Sequence, residues 1–186
     1  MNETLKIMKE RRSIRVFKDE QIKDEELKAI LEAGLYAPSA LNEQSWYFTV
    51  IQNSDMLQKF TQVAKSALAE SHIIQLRNMA SNDKYKAFYN APTAIVISGN
   101  MIASNTQADT CAATENMLIA AGSLGIASCW IGSMPFIFGN DKNAELKKEL
   151  KIPEGYVPIN SIALGYAASE SPNPPARKEN KITIIK

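Results

Sequence analysis

The 186-residue chain predicts helices and strands packed around one sheet, an α+β or mixed α/β arrangement. Three observations predict it. Helical periods outnumber strand-like runs and interleave with them irregularly, without the regular alternation of a parallel sheet. No Gly-x-Gly-x-x-Gly follows a strand-like run and no Gly-Lys-Ser/Thr loop occurs, so neither a Rossmann cradle nor a P-loop organises the chain. No linker, repeat or low-complexity tract divides it, and residues 1–186 are expected to form a single domain.

Glu3 to Glu10, with Leu5, Ile7 and Met8, reads as a short helix. Asp24 is expected to cap a second helix, with Glu25 and Glu26 in its first turn, Leu27, Ile30, Leu31 and Leu35 at helical spacing, and Gly34 and Pro38 as its stop. Trp46 to Gln52 is β-branched and aromatic and predicts a strand. Ser54-Asp55 opens a helix carrying Leu57, Phe60, Val63, Ala64 and Leu68 on one face. His72 is placed in a helical stretch, as a packing or partly exposed residue. The polar segment Asn78 to Asn90 has no clean period, and two readings stay open. It is a loop or short helix lying over a cleft, with Tyr85, Phe88 and Tyr89 as a gate, or it is surface packing.

Thr93 to Ser98 predicts a buried strand, and Gln107 to Leu124 a helix apolar on most sides and ended by Gly125. Cys129 to Gly132 predicts a short strand, Asp141 the start of a helix through Leu146 and Leu150, and Ile159 to Leu164 another strand. The tail contains Pro172, Pro174 and Pro175, and runs extended to a strand-like Ile182 to Ile185.

Composition narrows the chemistry. With 45% apolar and 22% charged residues and a net charge of +1, the chain carries no basic field for nucleic acid and no polybasic membrane address. A single histidine and two cysteines argue against a zinc cluster, a histidine triad or a disulfide scaffold, so no metal site is expected. Cys111 and Cys129 sit in apolar runs and read as reduced structural thiols, and the charged N-terminus is not a secretory signal, which predicts a cytoplasmic protein. From Asn116 to Asn140 the chain is uncharged, but Gly, Ser and Pro punctuate it and basic flanks are missing. A buried helix and strand, with part of the surface at a subunit interface, is expected there rather than a bilayer span.

Three of the five arginines lie within five residues, Arg11, Arg12 and Arg15, with Ser13 between them. A spacing of four puts Arg11 and Arg15 on one face of either a helix or a strand, so the two forks can converge on one anion. Complementing a helix dipole is the competing role. Ala37 to Trp46, APSALNEQSW, offers small and amide side chains for a flat ligand, against ordinary turn chemistry. In Trp130-Ile131-Gly132-Ser133 the glycine lets a ligand come close to the backbone, although alone the segment is a strand end.

Four segments then stand in order: Arg-Arg-Ser-Ile-Arg at 11–15, APSALNEQSW at 37–46, AAGSLGIASCWIGSMP at 120–135 and IPEGYVPINSIALGY at 152–166. Together they resemble the nitroreductase family of FMN-dependent oxidoreductases, over nearly the whole chain. The resemblance implies an α+β fold with a central, mostly antiparallel sheet flanked by helices, and a homodimer with an extended C-terminal tail and an FMN in each of two interface clefts. It implies that Arg11, Arg12, Ser13 and Arg15 hold the flavin phosphate and ribityl chain. Pro38, Ser39, Asn42 and Gln44 would contact the flavin across or near the interface, Ile131, Gly132 and Ser133 would lie along the ring system, and Arg177 would complete the phosphate site. Ser45 stands where the family often has proline.

The implied reaction is ping-pong, with hydride passing from NADH or NADPH through flavin N5 to a small-molecule acceptor such as a nitroaromatic or quinone. No catalytic side chain is named, because a flavin carries the redox chemistry itself. Alternatives are a specialised family member (reductive dehalogenase, flavin reductase or flavin-degrading enzyme) and a non-catalytic nucleotide- or anion-binding dimer.

Overall fold

The computed structural model describes residues 2–139 and 142–186. Helix α1 (Glu3–Glu10) begins at Asn2, whose side chain accepts from the Leu5 N–H at 2.9 Å, and buries none of its residues. An extended strap, 11–18, leads to α2 (Asp24–Leu35). Then come a 3-10 turn (Ala40–Asn42), β1 (Trp46–Ile51), α3 (Ser54–Ala69), α4 (Ile74–Ala80), β2 (Thr93–Asn100), α5 (Thr106–Ser123), β3 (Ala127–Ile131), α6 (Met134–Phe138), α7 (Ala144–Glu149) and β4 (Tyr156–Gly165).

The four strands form one sheet in the order β1-β2-β4-β3, every neighbouring pair antiparallel. The alternation of side chains sorts the core onto its two faces. Ala94 and Val96 of β2 and Ala163 of β4 join Phe60, Leu68, Met134 and Ile137 on one face. Ile95 and Ile97 with Ile162 and Leu164 join Ile30, Met117 and Leu118 on the other. Helices α3 and α6 thus cover the first face and α2 and α5 the second, and β2, apolar on both sides, is buried almost throughout. This is the α+β architecture with a central antiparallel sheet.

Several boundaries differ from the expectation. The N-cap of α2 is Lys23 and not Asp24, because the extended Lys23 backbone donates its N–H to the Glu26 carboxylate at 2.9 Å. Asn53, one residue before the expected start, caps α3 by accepting from Met56 N–H at 2.9 Å. Gly34 is no stop: it lies buried inside α2, where a Cβ would come within 2.9 Å of Met117 Cγ, so it permits close packing of α2 on α5. His72 lies exposed in the bend between α3 and α4. The expected Asp141 helix start falls outside the described residues, and the helix itself is α7.

Ile182 to Ile185 forms no strand. A lone extended segment has no ladder to join, and the isoleucines there are exposed. Among the described residues, no helix is long and apolar enough to cross a membrane.

Candidate active site

The strap after α1 is laid along the outer edge of β3. Ser13 makes a parallel bridge with Ser128, Ile14 N–H donates to Ser128 O at 3.0 Å, and Phe17 bridges Ala167. An extended backbone alternates its side chains, so Arg11, Ser13 and Arg15 share a side while Ile14 enters the core. All three act on the Cys129 thiol beneath them: burial, foremost, pushes it up, while Arg15, a hydrogen bond with Ser13 and Arg11 pull it down. Arg11 also stands 4.0 Å from Glu115 of α5. The Arg15 guanidinium lies 5.7 Å from the Tyr89 ring centre, and the Tyr89 side chain, foremost, raises its pKa. Arg12 points elsewhere: its guanidinium donates to the Lys9 carbonyl at 2.7 Å and to the Arg11 carbonyl, closing the C-terminal end of α1.

Where β3 ends, Ile131, Gly132 and Ser133 line a cleft of about 250 Å³. Its other walls come from Leu76, Met79, Tyr85, Lys86, Tyr89, Trp130 and Phe136. The Trp130 indole is fixed by donating to Asn160 at 3.1 Å, and Asn160 in turn reaches the free Cys111 on α5 at 3.5 Å. A Cβ added to Gly132 would meet no atom within 4 Å, so the space before its backbone is open. Through Tyr89, the cleft adjoins Arg15. The segment from α4 to Asn90 therefore lies over a cleft. Of the two readings left open for this segment, the one that lays it over a cleft fits, with Tyr85 and Tyr89 in the wall, but Phe88 is buried in the core and is no part of it.

The 37–45 loop stands elsewhere. β1 begins where β3 ends, at the same end of the sheet, but the two are opposite edge strands, three strand spacings or about 14 Å apart. Leu41, Asn42 and Gln44 all have left-handed backbones (φ 51°, 56° and 48°), a strain of about 1–3 kcal/mol each for such residues. Hydrogen bonds hold them there. Gln44 N–H donates to Ser39 Oγ at 3.0 Å, and Gln44 Nε2 to Asn42 Oδ1 at 3.1 Å. Glu43 accepts from Ser104 N–H at 2.7 Å and Ser104 Oγ at 2.9 Å. Asp109 of α5 accepts from Ala40 N–H at 2.9 Å and Ser45 Oγ at 2.8 Å. Pro38, Asn42 and Gln44 stay exposed. Arg177 is exposed in the tail, without a hydrogen bond or ion pair to any described residue.

One chain thus gathers Arg11, Ser13 and Arg15 over Cys129, two residues before the Ile131–Ser133 rim, with Arg15 meeting the cleft wall at Tyr89, and leaves Pro38, Ser39, Asn42 and Gln44 on the far edge. The first group fits a phosphorylated flat heterocycle: paired guanidinium forks and a hydroxyl at one end, and an aromatic-walled cleft with open backbone at the other. Among the described residues no group of three His, Cys, Asp or Glu side chains is placed to hold a metal ion.

This fold and site define a flavin-type redox scaffold, and comparison with known proteins specifies it. The nitroreductase family model matches residues 8–166, and the chain belongs to the nitroreductase family. A protein of Archaeoglobus fulgidus, with the provisional name NADH dehydrogenase/NAD(P)H nitroreductase, is 37% identical over 175 residues, covering 91% of this chain and 88% of its own. A crystal structure of a nitroreductase with bound FMN from Bacteroides fragilis superposes with a TM-score of 0.93 at 35% identity, covering 100% of both chains. A nitroreductase with bound FMN from Desulfitobacterium hafniense does so with a TM-score of 0.89 at 33% identity, again over 100% of both.

Proposed function

We propose that this protein, one nitroreductase-like domain over residues 1–186, is a cytoplasmic, homodimeric, FMN-dependent oxidoreductase that uses NADH or NADPH to reduce a small electrophilic acceptor such as a nitroaromatic or quinone. The observation that carries the reading is the strap on β3. It gathers two guanidinium groups and a hydroxyl over Cys129, and through Arg15 and Tyr89 this cluster adjoins the aromatic cleft that opens at Gly132. When bound, FMN would supply the redox chemistry there, carrying hydride from the nicotinamide to the acceptor in a ping-pong cycle.

The chain's own part is to bind and orient. Arg11, Ser13 and Arg15 would donate to phosphate and ribityl oxygens, with Arg12 supporting them from the end of α1. The Ile131–Ser133 backbone would hold the ring, and Tyr85, Tyr89 and Phe136 in the cleft wall would exclude water from it. Donor and acceptor use the same open face in turn, so no protein nucleophile is needed.

The separation of the 38–44 loop supports the dimer. Pro38, Ser39, Asn42 and Gln44 cannot reach the cleft of their own chain across the sheet, so a second copy supplies them to it. The exposed Ile182, Ile184 and Ile185 suit a tail that crosses onto the partner and carries Arg177 to a phosphate.

Purified protein is expected to be yellow, to release FMN on denaturation, and to oxidise NADH or NADPH with a nitroaromatic or quinone. Protein that stays colourless and shows no affinity for added FMN overturns the reading.

A further inference from the structure

We infer that the buried Asp109 carboxylate and the Ser45 hydroxyl are positioning residues for the cofactor, acting through the 39–44 loop. This rests on the reading that the loop touches the flavin. The geometry is specific. Asp109 sits in the first turn of α5, 3% exposed, and spends both carboxylate oxygens on the loop: one on Ala40 N–H at its start, the other on Ser45 Oγ at its end. Ser45 is itself 2% exposed, and its carbonyl accepts from Asn100 N–H at 2.8 Å, so the loop's exit is fixed to β2 as well.

Between these two anchors lie the three left-handed residues, Leu41, Asn42 and Gln44, which a free chain would not hold. Two bonds to one buried carboxylate span the strained run like a staple. They determine how far Asn42 and Gln44 stand from the sheet.

Ser45 gives the inference its edge. Proline at this position would stiffen the loop by fixing φ, but it has no side-chain donor. In this chain the restraint comes from a hydroxyl instead, and the hydroxyl needs Asp109. The Ser45 hydroxyl therefore acts on the loop only through Asp109, and the two substitutions are expected to be non-additive.

The test is FMN titration of the full-length apoprotein by flavin fluorescence, with the visible spectrum recorded at saturating FMN. Asp109→Leu, nearly isosteric, and Ser45→Ala are each expected to raise the FMN Kd about tenfold and to alter the bound-flavin spectrum. The double variant is expected to be no weaker than Asp109→Leu alone. Asp109→Asn keeps an oxygen for Ala40 N–H and can donate its amide to Ser45 Oγ, so it should restore affinity and spectrum. A role in folding alone would lower the melting temperature and leave the saturated spectrum unchanged. That result overturns the inference, as does wild-type binding by Asp109→Leu.

Asn42→Ala separates the two levels. If it weakens FMN while Ser45→Ala and Asp109→Leu do not, the positioning role fails and the loop's flavin contact stands. If Asn42→Ala and Gln44→Ala both bind FMN as wild type does, the flavin contact of the loop fails.

Discussion

Arg15 shows how one side chain divides between fold and function. Its guanidinium rests on Tyr89 and faces Cys129 at the rim of the core, but the residue itself stays exposed. Arg15→Ala should therefore weaken FMN binding by about 2 kcal/mol, the range of a charge-assisted hydrogen bond, and leave apoprotein melting nearly unchanged. Isothermal titration with FMN, paired with a melting curve, checks both halves. Tyr85 titrates on the opposite logic. Burial, foremost, pushes its phenol from 10.0 up to about 12, so the folded state keeps a proton that the unfolded chain has already lost. Its contribution to stability is constant below pH 10 and falls as pH rises from about 10 to about 12. Melting measured across that range should decline, and Tyr85→Phe should flatten the decline. The arginine cluster could be found in the sequence because charge density is a local property. The spacing also set Arg11 and Arg15 on one face, but the turn of Arg12 onto the open carbonyls of α1 depends on an extended backbone that the sequence left undecided.

Elements were legible where a period was long. The strands at Trp46 and Thr93 and the helix after Gln107 appear within about two residues of expectation, because burial on one or two faces repeats over several turns or pleats. Two short helices escaped. The five-residue α6 and the seven-residue α4 have too few residues to show a face, and it is α4 and the turns after it that close the cleft. Gly34 illustrates a different failure, since its reason lies on another helix. Gly99 is a second such case: a Cβ there would stand 2.2 Å from Thr106 Cγ2, against the first residue of α5. Gly99→Ala is expected to destabilise the protein by about 1–3 kcal/mol by forcing α5 off β2, measured by urea unfolding. It should also disturb the 39–45 loop, which α5 carries through Asp109.

At the scale of the whole molecule, the sheet order decides what one chain can and cannot do alone. The resemblance in the sequence reached the family and the antiparallel sheet, but Arg11 and Asn42, 31 positions apart, gave no sign of lying on opposite edges. Sedimentation should show a dimer at micromolar concentration. Deleting residues 172–186 should weaken the dimer and FMN retention together, because the exposed isoleucines and Arg177 leave in one step.

The strap on β3 also makes the N-terminus a reporter. Among the described residues, one isolated bridge and the Ile14–Ser128 hydrogen bond fasten the backbone of Ser13 and Ile14 to the sheet, and such short backbone attachments open by local fluctuation. A ligand gripped by Arg11, Ser13 and Arg15 must suppress that opening. The exchange rate of the Ile14 amide with deuterated solvent is thereby a gauge of cofactor occupancy, slowing as FMN fills the site while the amides of β2 do not change.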